Sequence, residues 1–370
     1  MMAVHKKQSR PSSVVRCPRF TGHEIRNTRY EIRDPSRQGS ILITALWALG
    51  LLSFFCVSLG AQIQQGIILL SRMNKRAVVR SAAEAGIFKA MAISKSEYAK
   101  NPLPNLARDS VFFNSPAQFE NIELGDGRFE VSYLSYDEPS GKPLVRYGLS
   151  DEERRLNINR ADRAALKRLI AEVTGLDDES AGELAGGIID WREYGESDIE
   201  DFHSDDFYEN LEFPYQEKKG AYETLDELLL VRGMDEAVYA ELIDFVTIYG
   251  NGLVNINTAS WVVLMAVGLS EEEARTLAGM RRGADGLPGT PDDYLFPDAN
   301  TAVLRLAETL DLEPPEIGRL HALVAQGTFT TVSAYYRAQS KGTLLSGREN
   351  KIITCVFQGN DGKIQYWREQ

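Results

Sequence analysis

Ser40-Ile-Leu-Ile-Thr-Ala-Leu-Trp-Ala-Leu-Gly-Leu-Leu-Ser-Phe-Phe-Cys-Val-Ser-Leu-Gly-Ala61 is the stretch on which the fold turns. It lies in a run of 34 residues, between Arg37 and Arg72, that carries no charged side chain. About 20 helical residues rising 1.5 Å each match a hydrocarbon core of about 30 Å, whereas a soluble core helix of that length would show a polar face. Residues 40–61 are therefore expected to span a membrane. The pattern does not break at Ala61: Ile67, Ile68, Leu69, Met73, Ala77, Val78, Ala82, Ala85, Ile87, Phe88 and Met91 follow at helical intervals. One helix over 40–91 is expected, its distal part lying on a folded domain.

The rest of the composition narrows the class. With 370 residues, 43% apolar and 25% charged, the chain is neither disordered nor a disulfide miniprotein, and Cys17, Cys56 and Cys355 are too far apart for a thiolate zinc site. Residues 1–39 carry nine Lys/Arg against three Asp/Glu, which leaves a charge of −18 for the remainder of a chain whose net charge is −12. A basic leader keeps the N-terminus in the cytosol and sends the bulk of the chain across. A secretory signal is excluded because its apolar core would be shorter.

The leader ends in Arg37-Gln38-Gly39, followed by small Ser40 and the apolar helix. This arrangement resembles the type IV prepilin class. The resemblance implies peptidase cleavage between Gly39 and Ser40 on the cytosolic side, and methylation of Ser40. Pilins of this class hold a glutamate where this chain has Thr44. A carboxylate inside lipid is costly and is kept for a partner, so a subunit with nothing stacked above it can do without one. That departure is the habit of the general secretion pathway protein K family, the tip minor pseudopilins of type II secretion systems. Leu149-Ser-Asp-Glu-Glu-Arg-Arg-Leu-Asn-Ile-Asn159, Ile189-Asp-Trp-Arg-Glu193, Thr224 to Met234, Val254-Asn-Ile-Asn-Thr-Ala259 and the ending Tyr366-Trp-Arg-Glu369 are similar to successive blocks of that family. The resemblance implies an inner-membrane, single-pass protein with a periplasmic body. Its implied partners are I- and J-type minor pseudopilins, the major pseudopilin, the prepilin peptidase and membrane lipid.

An α+β, pilin-like fold follows. Arg128–Tyr136 and Pro143–Gly148 alternate as a hairpin, and Phe329–Tyr336, Lys351–Phe357 and Lys363–Arg368 alternate again, with Gly359-Asn-Asp-Gly362 as a tight turn. Between them, helical periods predict an inserted all-α domain. The expected organisation is a leader (1–39), the long helix (40–91), the first part of the sheet domain (92–156), the helical insert (157–327) and the C-terminal strands (328–370). The insert repeats internally: Asn157-Ile-Asn159, Ala161, Leu166 and Gly175 recur as Asn255-Ile-Asn257, Ala259, Leu264 and Gly268. Asn159 and Asn257 are expected helix caps.

These repeats resemble helix-hairpin-helix or SAM-like units, which raises a membrane-tethered DNA-uptake or adhesion protein as the alternative. The turns Gly175-Leu-Asp-Asp178 and Gly268-Leu-Ser-Glu271 put carboxylates where phosphate would sit, so nucleic acid is not an expected partner.

From Asp190 to Asp206 acids follow one another almost without Lys or Arg. A hard cation with oxygen ligands would offset their repulsion. The family resemblance implies calcium here, carried over to Asp190, Glu193, Asp205 and Asp206. Gly283 to Asp293 is a second candidate calcium loop, with Asp285, Asp292 and Asp293 as carboxylates; the plain alternative is a solvated Gly/Pro/Asp turn. His5, His23, His203 and His321 are scattered, and no nucleophile elbow or phosphate loop occurs, so no enzyme is expected.

Overall fold

The computed structural model describes residues 38–100, 113–137, 142–193, 204–283 and 293–370. Contacts divide the chain into Met1–Ile68 and Leu69–Gln370, and each is treated by itself. Residues 1–37, which hold most of the expected leader, lie outside the described set.

In the first unit the described residues are all helix, and Ile41, Leu42, Leu46, Trp47, Phe54 and Val57 are exposed. An apolar helix exposed all round has no soluble solution and fits a single-pass membrane anchor. Thr44 sits in this helix with its hydroxyl donating to Ile41 O at 2.9 Å. Its polar group is thus satisfied by the helix backbone, which an ionised carboxylate, having no donor, could not do. The helix, α1, spans Gln38–Lys100 and so contains Gly39 and Ser40 in helical backbone.

The second unit opens on the distal part of α1, which continues past the expected end at Met91. The apolar spacing thins there, but polar side chains take over the packing: Ser94 Oγ donates to Gly359 O at 2.8 Å and Tyr98 OH to Ser333 O at 2.5 Å. Helix α2 (Pro116–Phe119) and strands β1 (Ile122–Leu124), β2 (Gly127–Asp137), β3 (Lys142–Tyr147), β4 (Ser150–Asp151) and β5 (Leu156–Asn157) follow. Next come α3 (Arg163–Thr174), α4 (Asp178–Arg192), α5 (Ser204–Glu209), a 3-10 helix over Leu225–Leu230, α6 (Glu236–Leu242), β6 (Val246–Thr247), β7 (Val254–Asn255), α7 (Trp261–Ala266) and α8 (Glu271–Met280). Helices α9 (Ala299–Leu310) and α10 (Pro314–Ala325) precede β8 (Phe329–Thr330), β9 (Tyr335–Leu344), β10 (Asn350–Gln358) and β11 (Ile364–Glu369).

The main sheet is antiparallel in the order β1-β2-β9-β10-β11, with β3 on β2 and β4 on β9. The β2–β3 hairpin is the expected one. Phe329–Tyr336, expected as one strand, is two: β8 pairs in parallel with β7 in the helical part, and β9 begins at Tyr335 in the main sheet. The break falls where Thr330 turns on itself, its hydroxyl donating to Val332 O.

Distal α1 lies on this sheet through Ala82, Ala83, Ile87 and Ala90, which share a core with Phe129, Val131, Tyr336, Ala338, Ile353, Cys355 and Phe357. The contact is close because it is built from small residues. A Cβ on Gly342 of β9 would collide with the Val79 carbonyl and stand 2.6 Å from Ala83 N, both backbone atoms that cannot move aside. The helical part has a separate core around Leu166, Leu169, Ile188, Trp191, Leu228, Leu264 and Phe296. Gly342→Val is expected to destabilise the fold by at least about 1–3 kcal/mol, as overpacking of a rigid contact does, read as a lower thermal midpoint by circular dichroism.

Candidate functional site

Ser150 to Arg155 connect the sheet to the helical part, and the local sequence packs three consecutive acids into the interior. Asp151, Glu152 and Glu153 are all buried. Asp151 Oδ1 accepts from Glu153 N at 2.8 Å, and its Oδ2 accepts from Asn255 Nδ2 at 2.9 Å and Thr258 Oγ1 at 2.5 Å. Glu152 Oε1 accepts from Arg155 Nη1 at 2.9 Å and Arg337 Nε at 2.6 Å, and its Oε2 from Thr247 Oγ1 at 2.5 Å. Glu153 caps two strand amides, Ala334 N at 3.1 Å and Tyr335 N at 3.2 Å. Each acid thus ties β4 or its continuation both to the main sheet and to the helical part.

Their electrostatics diverge. Burial alone would raise Glu152, but Arg337 and Arg155 outweigh it and hold the carboxyl at about 2. Burial raises Glu153 well above the ordinary carboxylate range, and the Asp151 charge pushes the same way; Asp151 is itself raised by burial. Arg155 is pushed down to about 10, chiefly by burial.

The two repeats are matched in their contacts. Asn157 Oδ1 accepts from Asn159 N at 2.9 Å and Asn255 Oδ1 from Asn257 N at 2.9 Å. Asn159 and Asn257 are not helix caps. Their amides instead pin distant backbone: Asn159 exchanges bonds with Tyr222, while Asn257 donates to Phe296 O and accepts from Phe296 N. The caps are Asp162 for α3 and Ser260 for α7, because each Asn-Ile-Asn runs into a turn closed on Asn157 O or Asn255 O and the helix, counted from its cap, starts only three residues after the second Asn. An arginine closes each repeat in the same way, Arg192 on Ile158 O and Arg281 on Ile256 O. In the turns, Gly175 takes φ +67°, where a glycine has no steric cost. Asp177 Oδ1 then occupies the amides of Glu179 and Ser180, and Ser270 Oγ that of Glu273.

Of the first acidic cluster, Asp190 is on α4, 6% exposed, with an Oδ2 that has no hydrogen-bond partner. Burial raises it to about 6, assisted by the negative charge of Glu217. Glu217 is 8% exposed; its Oε1 is without a hydrogen bond and its Oε2 faces the Lys219 ammonium. Two neighbouring buried carboxylates with orphaned oxygens fit a hard cation, since an uncompensated buried charge costs several kcal/mol. Glu193 is exposed and pairs with Arg192 at 2.9 Å, while its charge acts on Asp190 in the same direction as that of Glu217. Asp205 and Asp206 are on α5, with side chains outside the described residues. Glu217 was missed from sequence because it lies outside the acid run, flanked by Lys218 and Lys219, and only the fold returns it to α4. In the second loop, Asp285 and Asp292 lie outside the described residues, while Asp293 Oδ1 accepts from Gly283 N at 3.3 Å and draws the loop ends together. Among the described residues no group of three or more His, Cys, Asp or Glu forms a metal cluster.

A helix laid on a small antiparallel sheet, carrying a large helical insert at β4, defines a pilin-like subunit with an added helical part. The comparisons agree. The chain is similar to one chain of the crystal structure of the GspK-GspI-GspJ complex from the enterotoxigenic Escherichia coli type 2 secretion system, with a TM-score of 0.55 and 15% identity over 82% of this chain and 99% of that one. Residues 127–251 match the family model for type II secretion system (T2SS), protein K. The likeness in structure shows a shared fold, and the family match is confined to residues 127–251. No curated protein matches the sequence significantly.

Glu152→Gln leaves Arg155 and Arg337 facing a neutral group and is expected to cost about 3–5 kcal/mol at neutral pH. For the native chain the sign for Glu153 runs the other way. The folded state keeps a proton that the unfolded chain releases near pH 4.3, so stability falls as pH rises from about 5 to about 8. Glu153→Gln is expected to flatten that fall, measured as midpoints across the same pH range.

Proposed function

We propose that the chain works as the protein K minor pseudopilin at the tip of the pseudopilus, supporting export across the outer membrane as a structural component. In this reading α1 anchors it in the inner membrane with the N-terminus cytoplasmic and residues beyond the span periplasmic. The observation that carries it is the coincidence of a protein K match over 127–251 with a membrane helix whose fifth residue after Gly39, Thr44, is satisfied by Ile41 O. A subunit so built asks for no neighbour above it, and its helical part would crown the filament beside I- and J-type minor pseudopilins, above the major pseudopilin.

The alternative, DNA uptake or adhesion through helix-hairpin-helix-like repeats, is opposed by the capped turns. A phosphate would have to displace Asp177 and Ser270 from the amides it needs. The repeats are proposed as structural helix-hairpin-helix or SAM-like units.

Processing after Gly39 with methylation of Ser40 belongs to the same reading. Gly39→Leu is expected to leave the prepilin peptidase without its site, so that full-length precursor accumulates and secretion stops. A Gly39→Leu chain still cut to the normal mature size would remove the prepilin assignment.

Calcium is proposed at Asp190 and Glu217, with Asp205 and Asp206 as further donors, and in the loop of Asp285, Asp292 and Asp293. Bound at the first site it would supply positive charge to Asp190 and Glu217, which the fold has already desolvated. For the full chain in detergent, calcium at a hundred times its dissociation constant is expected to add about 2.7 kcal/mol of stability. In a variant carrying Asp190→Asn and Glu217→Gln the midpoint is expected to lose its response at the first site, and calorimetric titration to lose the corresponding heat.

A further inference from the structure

A cavity of about 310 Å³ lies in the second unit where β2 and β3 face α7 and the end of α8. That is enough room for a small organic molecule. Its walls combine apolar surface from Leu134, Trp261, Val262 and Leu295 with the arginines 146, 154, 155, 281 and 282. Leu134 is 59% exposed and marks the mouth.

Most of these arginines are engaged. Arg155 holds Glu152 and donates to Asp244 O at 3.0 Å, Arg281 Nη1 donates to Ile256 O at 2.9 Å, and Arg282 has a partner. Two are not. Arg146 is 6% exposed, and its Nη2 is buried without a hydrogen-bond partner. Arg154 is half-buried and has no ion pair among the described residues. Both lie close enough to Tyr133, another wall residue, for their charges to act on its hydroxyl. A buried guanidinium without an acceptor is expensive, and its planar fork is shaped for an oxyanion.

The wall also carries Asp151, Asp244 and Asp293. Asp151 already accepts from Asn255 and Thr258. Five arginines against three aspartates leave two positive charges, and Glu152 already neutralises Arg155, so the one that remains suits a singly charged head better than a doubly charged one. The apolar wall around Trp261 suits an attached hydrocarbon body, with the ring already stacked by Arg275 at 3.5 Å.

We propose that this cavity is a binding site for a small monocarboxylate with an apolar or aromatic body, its carboxylate received by Arg146 and Arg154. The site lies apart from the acidic cluster of Asp190 and Glu217, and the inference does not depend on the secretion role.

The test uses the full chain in detergent with 4-fluorophenylacetate as probe, followed by fluorine NMR line width. Saturable binding is expected. It is expected to weaken roughly tenfold or more in Arg154→Gln and in Arg146→Gln, as loss of a charge-assisted contact does. Arg154 holds no hydrogen-bond or ion-pair partner among the described residues, so its variant separates loss of binding from loss of fold; circular dichroism of both variants checks this. The neutral alcohol of the same body is expected to bind at least tenfold more weakly. Absence of saturable binding, equal binding by Arg154→Gln, or displacement of the probe by an equal concentration of inorganic phosphate would each overturn the proposal.

Discussion

Three acids in a row, Asp151, Glu152 and Glu153, are drawn into the interior where the chain leaves its sheet for the helical part, and the arrangement of the second unit depends on how each is neutralised. Glu152 stays charged between Arg155 and Arg337, one from each side of the junction. Glu153 is held between the amides of Ala334 and Tyr335, where the chain returns to the sheet. Asp151 reaches Asn255 and Thr258 in the second repeat. Six consecutive residues therefore join outgoing chain, returning chain and both repeats. A polar junction of this kind is geometrically demanding, because every donor must be present at once. It fixes one relation between sheet and helices where an apolar seam would allow several.

The same economy of space governs the contact of distal α1 with the sheet. Val79 and Ala83 meet Gly342 at a separation that leaves no room for a methyl group. The helix is seated by shape and the helical part by charge. These are different kinds of constraint, and they fail under different conditions: the first under added volume, the second under protonation of Glu152 or deprotonation of Glu153.

Much of this was legible beforehand, for identifiable reasons. The span over 40–61 announces itself by length without charge, the β2–β3 hairpin by alternation, and the internal repeat by the recurrence of Asn-Ile-Asn. The role of the repeated asparagines was misread, since a side-chain amide that pins a loop 39 or 63 residues away looks in sequence like one that caps a helix nearby. Tyr98 was missed because a helix that packs through polar groups loses its apolar period. Glu217 and the pair Arg146 and Arg154 could not be read from sequence at all. What singles out Glu217 and Arg146 is a buried polar atom left without a hydrogen bond, and what singles out Arg154 is a place on the same cavity wall as Arg146; both are decided by tertiary closure alone.

Each repeat begins and ends at one place. Leu156 and Asn157 lie beside Val246 and Thr247, and Val254 and Asn255 beside Phe329 and Thr330, in two parallel ladders of two residues each. Both helical units are therefore loops whose ends are stitched together at the base. They join distal α1 and strands β9 to β11 only through the acidic junction and the two ladders at their base. The crown can thus lengthen, shorten or change its surface inside either loop without altering the sheet beneath it.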